Sequence, residues 1–271
     1  MVGPNIGRDF DGWVVVVTGA STGLGRAISV ETAQRGAKAV VINYASSAEE
    51  AGRTGALVQA EGAEAILVQA DVSDDAACRR IAAAAEPFGR VDALFNNAGT
   101  TKFAGNHADL DAVNAEDFHR LYAVNVIGAF QMIRACRSLL EACERPGAVV
   151  NTSSVAAVMG IGSSVPYAAS KGAMNTMTLS LARALAPKIR VNAVCPGFID
   201  TPWFERSVGA QGVERMRQSV AERTPLQVAS TAEDIAASAI FFASTASRHI
   251  TGETLIVDAG THLGQAPLTR R

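Results

Sequence analysis

Short apolar runs alternate along the chain with longer segments in which apolar and polar residues recur at helical spacing. The apolar runs lack the strict alternation of a strand with one solvated face, which indicates strands covered on both faces. The longer segments, many of them rich in alanine, are typical of amphipathic helices. Because strands and helices alternate, we predict an α/β fold with one doubly wound parallel sheet and helices on both faces.

Seven runs have the strand pattern, and seven longer segments have the helix pattern. The predicted strands are Trp13–Thr18, Ala39–Asn43, Ala65–Gln69, Ala93–Phe95, Ala148–Thr152, Arg190–Val194 and Leu255–Val257. The predicted helices are Leu24–Arg35, Ala48–Glu61, Asp75–Pro87, Ala115–Cys143, Tyr167–Ala186, Pro202–Glu222 and Ala232–Ala243. No linker, repeat or low-complexity tract interrupts this series, so we expect residues 1–271 to form a single domain.

One segment, Thr201–Leu226, is more polar than its neighbours and has Pro202 and Pro225 near its ends. We interpret it as a helical excursion outside the sheet. Loops at the carboxyl ends of parallel strands commonly carry substrate contacts, so we expect this segment to help bind the substrate.

Composition and charge exclude several classes of protein. The chain has 271 residues, is 48% hydrophobic and 18% charged, and has a net charge of −2 without a basic tract. This balance gives no indication of a nucleic-acid or anionic-membrane partner. The N-terminus lacks a secretory pattern, and the longest uncharged stretch, Gly147–Ser170, is too polar to span a membrane. The four cysteines form no C-x-x-C pair and the four histidines have no metal-ligand spacing, so we expect a reduced, cytoplasmic, metal-free protein.

The first predicted strand runs directly into a glycine-rich turn, in the stretch WVVVVTGASTGLG at residues 13–25. Gly19, Gly23 and Gly25 have the spacing G-x-x-x-G-x-G and precede an amphipathic helix. Glycines permit a tight turn and let backbone N–H groups approach a pyrophosphate at a helix N-terminus. A generic glycine-rich turn would have the same composition, but the position at the first strand–helix junction favours a dinucleotide site.

Small and polar residues also follow three other predicted strands. They are Asp71 and Val72 after the third strand, Asn96, Asn97, Ala98 and Gly99 after the fourth, and Pro196, Gly197 and Thr201 after the sixth. Each group alone is compatible with ordinary turn chemistry. Because the carboxyl ends of parallel strands meet at one edge of the sheet, their joint placement predicts a ligand crevice there.

The stretch YAASK places Tyr167 and Lys171 four residues apart at the start of a predicted helix. Residues at this spacing lie on the same helix face, so the phenol and the ammonium can point into the same space. A free tyrosine has a pKa of about 10, and a nearby positive charge lowers it. The pair is therefore a candidate acid/base unit, although a surface tyrosine packed on a lysine stem would have the same spacing.

Six motifs in this order, TGASTGLG, DVSD, NNAG, VNTSS, YAASK and NAVCPGFIDT, resemble the short-chain dehydrogenase/reductase family. The resemblance covers residues 13–260, and the chain is similar to the 3-oxoacyl-acyl-carrier-protein reductase and glucose 1-dehydrogenase branches. It implies a Rossmann-type sheet with strand order 3-2-1-4-5-6-7 and an NAD(P)-dependent enzyme that interconverts a secondary alcohol and a ketone. It also implies a homotetramer built around the helices predicted at 115–143 and 167–186.

The resemblance implies four catalytic residues, which are Asn125, Ser154, Tyr167 and Lys171. Tyr167 would be the general acid/base, and Lys171 would lower its pKa and bind the nicotinamide ribose. Ser154 would hold the substrate oxygen, and Asn125 would position a water that connects Lys171 to solvent. The family spacing of thirteen residues before Tyr167 selects Ser154 rather than Ser153, although turn capping would also explain either serine.

The resemblance also implies a set of cofactor contacts along the crevice. These are Gly19, Ser21, Thr22, Gly23, Leu24, Gly25, Asn43, Tyr44, Ala45, Ser46, Asp71, Val72, Asn97, Ala98, Gly99, Tyr167, Lys171, Pro196, Gly197, Ile199 and Thr201.

The residues after the second predicted strand give conflicting indications about which nicotinamide cofactor binds. Tyr44 stands where NAD-preferring relatives carry Asp, which removes the repulsion of a 2′-phosphate. Ala45 stands where many NADP-dependent relatives carry Arg, and Thr22 replaces a frequent basic residue. Asn43, Ser46 and Ser47 offer hydrogen bonds without charge. The balance favours NADP, or the use of both cofactors.

Two other function classes remain open at this point. Sugar-nucleotide epimerases and dehydratases share Y-x-x-x-K but usually have a different glycine spacing and a larger C-terminal region. Non-catalytic nucleotide-sensing relatives usually lose the Tyr or the Lys, and this chain has both. The sequence does not predict the substrate, because the candidate pocket residues Met159, Ile161, Trp203, Phe204 and Met216 would equally suit packing.

Overall fold

A seven-stranded parallel sheet lies at the centre of the computed structural model, which describes residues 7–264 except 202 and 204, and only the backbone of 205–208. Its neighbouring strands follow the order β3-β2-β1-β4-β5-β6-β9, and β7 pairs with β8 in a separate two-stranded sheet. The strands are β1 (Val14–Val17), β2 (Ala39–Tyr44), β3 (Glu64–Gln69), β4 (Ala93–Asn96), β5 (Gly147–Thr152), β6 (Ile189–Pro196), β7 (Ile199–Asp200), β8 (Ser230–Thr231) and β9 (Thr254–Val257). Since β9 is the seventh predicted strand, the predicted order 3-2-1-4-5-6-7 is confirmed, whereas β7 and β8 were not predicted.

Helices connect the strands and cover the sheet. They are α1 (Gly23–Gln34), α2 (Ala48–Ala60), α3 (Asp75–Ala83), α4 (Ala115–Tyr122), α5 (Ala129–Glu141), α6 (Ala156–Met159), α7 (Val165–Leu185), α8 (Glu205–Arg223) and α9 (Ala232–Ala243). Short 3₁₀ turns occur at Glu86–Phe88, Leu110–Ala112, Thr245–Ser247 and Thr261–Leu263.

The sheet buries both of its faces, as the non-alternating strands predict. In β1, Val15 and Val17 belong to a core cluster that also contains residues of α1 and α9. Val14 and Val16 point to the opposite cluster, which contains residues of α3 and α5. All four valines are at most 1% exposed, so this strand has no solvated face.

Several helices differ from their predicted limits, and α3 ends at Ala83 instead of Pro87. The helix predicted at 115–143 is divided by a π-helical segment, Ala123–Gly128, between α4 and α5. Helix α7 begins at Val165 instead of Tyr167, because Ser164 caps its first turn and Pro166 in that turn needs no N–H partner. Helix α8 contains Gly209 with a φ of +66°, which is a break in the predicted helix 202–222. The predicted start of that helix at Pro202 lies outside the described residues, as does Phe204.

None of the helices that the structure describes is long and apolar enough to cross a membrane. Across the same residues, no three His, Cys, Asp or Glu side chains are grouped so that they could hold a metal ion. The four cysteines are free thiols.

Candidate active site

The carboxyl ends of several strands meet at the glycine turn between β1 and α1. Gly19 has a φ of +61°, and a Cβ placed on it would lie 2.8 Å from the Cα of Ala98, beyond β4. Gly23 has a φ of +54°, and its Cβ would lie 3.2 Å from Cγ2 of Thr201, beyond β6. A Cβ on Gly25 would lie 2.4 Å from the carbonyl oxygen of Gly19. The predicted segments therefore come together, and close backbone approach requires glycine in the turn.

The first turn of α1 is suited to an anion. Thr22 is the N-cap residue, but its side chain accepts no hydrogen bond from the helix, and the first turn has no acidic residue. The backbone N–H groups at a helix N-terminus have no partner within the helix and carry partial positive charge. This donor set fits the pyrophosphate of a dinucleotide, as the sequence predicts.

The side chains directly after β1 and β4 hold this turn in place. Thr18 Oγ1 accepts the backbone N–H groups of Asn97 and Ala98, both at 3.0 Å. The Asn97 side-chain nitrogen donates to the carbonyl oxygens of Thr18 at 3.1 Å and Gly19 at 3.0 Å. The amide nitrogen of Asn97, a predicted cofactor contact, is therefore engaged by the turn itself. Thr18 was missed in the sequence, where its only signal is a hydroxyl at the end of an apolar strand.

The end of β2 separates buried residues from exposed ones. Asn43 is 1% exposed, and its Nδ2 donates to the carbonyl oxygens of Val68 at 3.2 Å and Ala70 at 2.9 Å. Its Oδ1 accepts the N–H of Gly19 at 3.4 Å. Tyr44 is partly buried, whereas the next residues, 45 and 46, are exposed. Of the four predicted contacts here, Asn43 uses its polar atoms inside the protein, and the other three side chains remain accessible.

An ion pair that the sequence analysis missed connects the glycine turn to α2. The Arg26 guanidinium lies 2.7 Å from Oε2 of Glu50 and donates to the Ser21 carbonyl oxygen at 2.6 Å. It also donates to Oγ1 of Thr54 at 2.9 Å. The hydrogen bond that Arg26 donates to Glu50 is the largest cause that lowers the pKa of Glu50. Arg26 therefore fixes the backbone of a predicted cofactor contact, while its own charge is neutralised by Glu50.

Most of the remaining predicted contacts follow β3, β6 or β7, and the others lie on β6, β7 and α1. Oδ1 of Asp71 accepts the N–H and the hydroxyl of Ser73, both at 2.9 Å, while the next residue, Val72, is buried. A Cβ on Gly197 would lie 2.8 Å from Cβ of Asp258, which explains the glycine there. Two of the residues predicted to follow strands, Asn96 and Pro196, are instead the last residues of β4 and β6. Ile199, Leu24 and Thr201 complete the set, with Leu24 buried and the other two partly exposed.

Lys171 lies on α7 and is fixed against the end of β5. Its side chain is 3% exposed, and Nζ donates to the carbonyl oxygen of Thr152 at 2.7 Å. Burial lowers the pKa of Lys171 to about 8. Gly99 is close by, because a Cβ on it would lie 3.8 Å from this Nζ. The structure therefore brings together two residues that the sequence places in different motifs.

Tyr167 lies one turn before Lys171, and Nζ of Lys171 is 5.7 Å from the centroid of its ring. Tyr167 is partly buried, and this burial raises the pKa of its phenol, while a hydrogen bond with Ser154 lowers the pKa by less. The net shift of the Tyr167 pKa is therefore upward, opposite to the lowering expected from a nearby ammonium. The physical reason is that desolvation of the phenolate dominates the shift.

The two neighbouring serines after β5 have different surroundings. Oγ of Ser154 accepts the N–H of Ala156 at 3.1 Å, and the Ser154 hydroxyl is also hydrogen-bonded with the Tyr167 phenol. Ser153 is 2% exposed, and its hydroxyl donates to the backbone carbonyl oxygen of Lys171 at 3.2 Å. Only Ser154 of this pair is partly exposed on the side of Tyr167.

Asn125 lies in the π-helical segment and is fully buried. Its Nδ2 donates to the Thr100 carbonyl oxygen and to Oγ of Ser170, both at 3.0 Å. Its Oδ1 accepts the N–H of Thr100 at 2.8 Å. The side-chain amide therefore joins the loop after β4 to α7, one residue before Lys171.

The chain matches known protein families and structures over almost its whole length. Residues 19–262 match a family model described as enoyl-(acyl carrier protein) reductase. The chain is 40% identical over 252 residues to a protein of Streptomyces violaceoruber named as ketoacyl reductase 2 of the granaticin polyketide synthase, covering 92% of this chain and 96% of that protein. It is 38% identical over 253 residues to an L-rhamnose 1-dehydrogenase (NAD(P)(+)) of Azotobacter vinelandii, covering 91% and 95%.

A solved structure gives the same relationship in three dimensions. The chain resembles a 3-oxoacyl-[acyl-carrier protein] reductase with bound NAD from Brucella melitensis, with 32% identity and a TM-score of 0.80, covering 94% of this chain and 93% of that one. The sheet order, the glycine turn and these relatives agree with one another. The chain therefore belongs to the short-chain dehydrogenase/reductase family and is an oxidoreductase that uses NAD or NADP.

Proposed function

We propose that the protein interconverts a secondary alcohol and a ketone, with Tyr167 as the general acid/base. The observation that carries this proposal is the buried Lys171 ammonium, fixed to Thr152 one helical turn from Tyr167 and hydrogen-bonded to nothing acidic among the described contacts. A desolvated cation beside a phenol and a serine hydroxyl is a costly arrangement that catalysis would justify.

Three residues of this protein act on the substrate oxygen or on its proton donor in the proposed reaction. The nicotinamide supplies the hydride when it is bound. In reduction, Tyr167 donates its proton to the carbonyl oxygen of the substrate, and its raised pKa keeps the phenol protonated until then. The Ser154 hydroxyl donates a hydrogen bond to the same oxygen, without transferring its proton, and stabilises the charge that develops there. Below about pH 8 Lys171 is charged, so it favours the phenolate that Tyr167 leaves behind.

The substrate that we propose is an apolar ketone. Val158, Met159 and Ile161 are exposed apolar side chains that follow Ser154 closely in the chain. A Cβ on the next residue, Gly162, would lie 3.7 Å from Cδ1 of Tyr167, so this loop borders the phenol. Exposed apolar side chains beside a reacting group suit a substrate that buries hydrocarbon. We assign the segment 201–226 to the same substrate-binding region.

A carbonyl screen with NADH and NADPH tests this function. We expect reduction of ketones, with kcat/KM rising about fourfold for each methylene added beside the carbonyl until the pocket is filled, because each buried methylene contributes about 0.8 kcal/mol. Oxidation of L-rhamnose and aldohexoses, tested in parallel, should be slower. A preference for aldoses would refute the apolar substrate, and no activity with any carbonyl or alcohol would refute the proposed reaction.

Cofactor preference is expected to depend on residue 45. We propose that wild type prefers NADP only modestly, since Ala45 offers no cation and Arg26 is already paired with Glu50. Ala45→Arg should add a charge-assisted bond of roughly 1.5–3 kcal/mol to a 2′-phosphate, and so raise kcat/KM for NADPH about ten- to a hundredfold. The NADH value should stay nearly unchanged.

Two further variants control for this effect. Ala45→Gln has a long polar side chain without charge and should leave the ratio close to wild type. Tyr44→Asp should move the preference toward NAD, because a carboxylate binds the ribose hydroxyls and repels a phosphate. If wild type is strongly NAD-specific and neither Ala45→Arg nor Tyr44→Asp changes the ratio, the discriminating residues lie elsewhere.

We also propose a homotetramer. Exposed apolar side chains in the two regions that the family implies in assembly support this, namely Ile127 in the π-helical segment, Phe130 on α5 and Leu179 on α7. Apolar groups exposed along helices of one chain are commonly covered by another subunit. Light scattering on the purified protein would measure the mass, and a monomer would contradict the proposal.

A further inference from the structure

A chain of buried polar side chains runs from β4 through β5 to α7, below the proposed catalytic residues. Nδ2 of Asn96 donates to Oδ1 of Asn151 at 2.9 Å, and Nδ2 of Asn151 donates to Oγ1 of Thr178 at 2.9 Å. The three side chains are at most 3% exposed. Buried polar groups are costly unless they are paired, so this series of hydrogen-bonded side chains needs a reason beyond apolar packing.

The Thr178 hydroxyl fixes the direction of both hydrogen bonds. The Thr178 hydroxyl donates its single proton to the carbonyl oxygen of Met174 at 2.9 Å, so it can only accept from Asn151. Asn151 must therefore present its nitrogen to Thr178 and its oxygen to Asn96. Asn96 must in turn present its nitrogen, which is also 3.4 Å from the carbonyl oxygen of Ala129. Loss of the Thr178 hydroxyl would thus disturb the hydrogen bonds of both Asn151 and Asn96.

These contacts form the second of two attachments between β5 and α7. The first attachment is at Lys171, whose Nζ donates to Thr152 and whose backbone carbonyl accepts from Ser153. Thr178 lies seven residues further along α7, which is two turns, on nearly the same face and about 10 Å along the axis. A helix held at one point by hydrogen bonds can still tilt or slide on apolar packing, whereas two attachments fix its register.

Asn96 is the last residue of β4, the strand that leads to both the glycine turn and Lys171. The residues directly after it, Asn97 and Ala98, hold the glycine turn through Thr18, and a Cβ on Gly99 would approach Nζ of Lys171. A shift of β4 relative to β5 would therefore change the distance between the glycine turn and α7.

We propose that Asn96, Asn151 and Thr178 are positioning residues that fix the register of α7 against β4 and β5 and so keep Tyr167 and Lys171 opposite Ser154. This inference rests on the proposed function for its kinetic readout. None of the three side chains needs to touch substrate or cofactor. Misplacement of a catalytic group by about 1 Å can lower a rate on the order of a hundredfold, so a distant hydroxyl can affect turnover.

The test compares Thr178→Val with Thr178→Ser. Valine has the same shape as threonine but cannot accept the Asn151 hydrogen bond, whereas serine keeps the hydroxyl and loses only a methyl group. We expect Thr178→Val to lower kcat roughly ten- to a hundredfold while KM for the cofactor changes less than twofold. Thr178→Ser should recover most of the lost turnover. Equal kcat values for Thr178→Val and wild type would overturn the proposal.

A second readout does not depend on activity. The chain has four lysines, so the titration of Lys171 can be followed by NMR of the side-chain Nζ groups and assigned with Lys171→Met. The titratable groups that face Lys171 are Tyr167 on its own helix and Cys195 on β6. We expect Thr178→Val to raise the pKa of Lys171 from about 8 by at least roughly half a unit, because a loosened helix relieves its burial. Thr178→Ser should leave it unchanged.

These two readouts separate failure of the positioning role from failure of the proposed function. A wild type without oxidoreductase activity refutes the function, and the Lys171 titration then still decides the positioning role. A pKa of Lys171 that is unchanged or lowered in folded Thr178→Val, with circular dichroism like that of wild type, would overturn the inference. If Thr178→Val does not fold, Thr178→Ala removes the same hydroxyl without adding a methyl group and takes its place in both measurements.

Discussion

Tyr167→Phe is expected to lower kcat about 10²–10⁴-fold, which is the usual contribution of general acid/base catalysis. Phenylalanine keeps the ring and its packing on α7 but has no proton to give to the substrate oxygen. Lys171 keeps its hydrogen bond to Thr152 in this variant, because that contact does not involve the phenol. The dissociation constant of NADPH, measured by fluorescence, should therefore change little.

A matched control and a pH profile accompany this prediction. Tyr122→Phe makes the same substitution at the end of α4 and should leave kcat near that of wild type. Burial raises the pKa of Tyr167, so the phenolate that alcohol oxidation requires becomes more abundant as pH rises. The oxidation rate of wild type should increase with pH, and this increase should disappear in Tyr167→Phe. Turnover of Tyr167→Phe within a factor of two of wild type would remove Tyr167 from the mechanism.

The fold was predictable because its signals are local. The four valines of β1 read as one unbroken apolar run, and both faces of that strand are buried in the structure. Glycines at 19 and 23 have positive φ values, which glycine adopts more easily than other residues, so the residue types predict this turn. Helix limits were less predictable, since the apolar spacing through Ala123–Gly128 does not distinguish a π-helical segment from continuous α-helix.

The sequence predicts which residues of the site lie near one another, but it does not predict which interactions they make. The motifs place Tyr167 and Lys171 on one helix face, yet the direction of the pKa shift at Tyr167 depends on burial, which only the folded chain determines. Asn43 similarly stands at the end of a strand, where its sequence position suggests a ligand contact, but its amide bonds β3 and the glycine turn.

Two supporting contacts had no signal in the sequence because they join distant residues. Asn151 and Thr178 are 27 positions apart. Arg26 and Glu50 are 24 positions apart. Neither pair belongs to a pattern of helical or strand spacing, so only the tertiary structure reveals them.

Ser154→Ala is expected to lower kcat roughly 10²–10³-fold, which is the usual effect of removing one donor to a developing oxyanion. Oγ of Ser154 accepts the N–H of Ala156, and its hydroxyl, which bonds the Tyr167 phenol, can turn to a substrate oxygen placed beside that phenol. Because that bond strengthens as charge develops on the oxygen, kcat should fall more than KM rises.

Ser153→Ala is the matched control, since it removes the same hydroxyl from the adjacent residue. The Ser153 hydroxyl is buried and donates to the backbone carbonyl oxygen of Lys171, where a lost hydrogen bond costs stability of about 1 kcal/mol. Its variant should therefore melt at a lower temperature and keep kcat within a few-fold of wild type, because the Lys171 hydrogen bond to Thr152 still holds α7 at that point and no proton donor to the substrate is removed. Steady-state kinetics and thermal unfolding of both variants check this division. If Ser153→Ala loses more turnover than Ser154→Ala, the serine that holds the substrate oxygen is Ser153, and the role assigned to Ser154 is wrong.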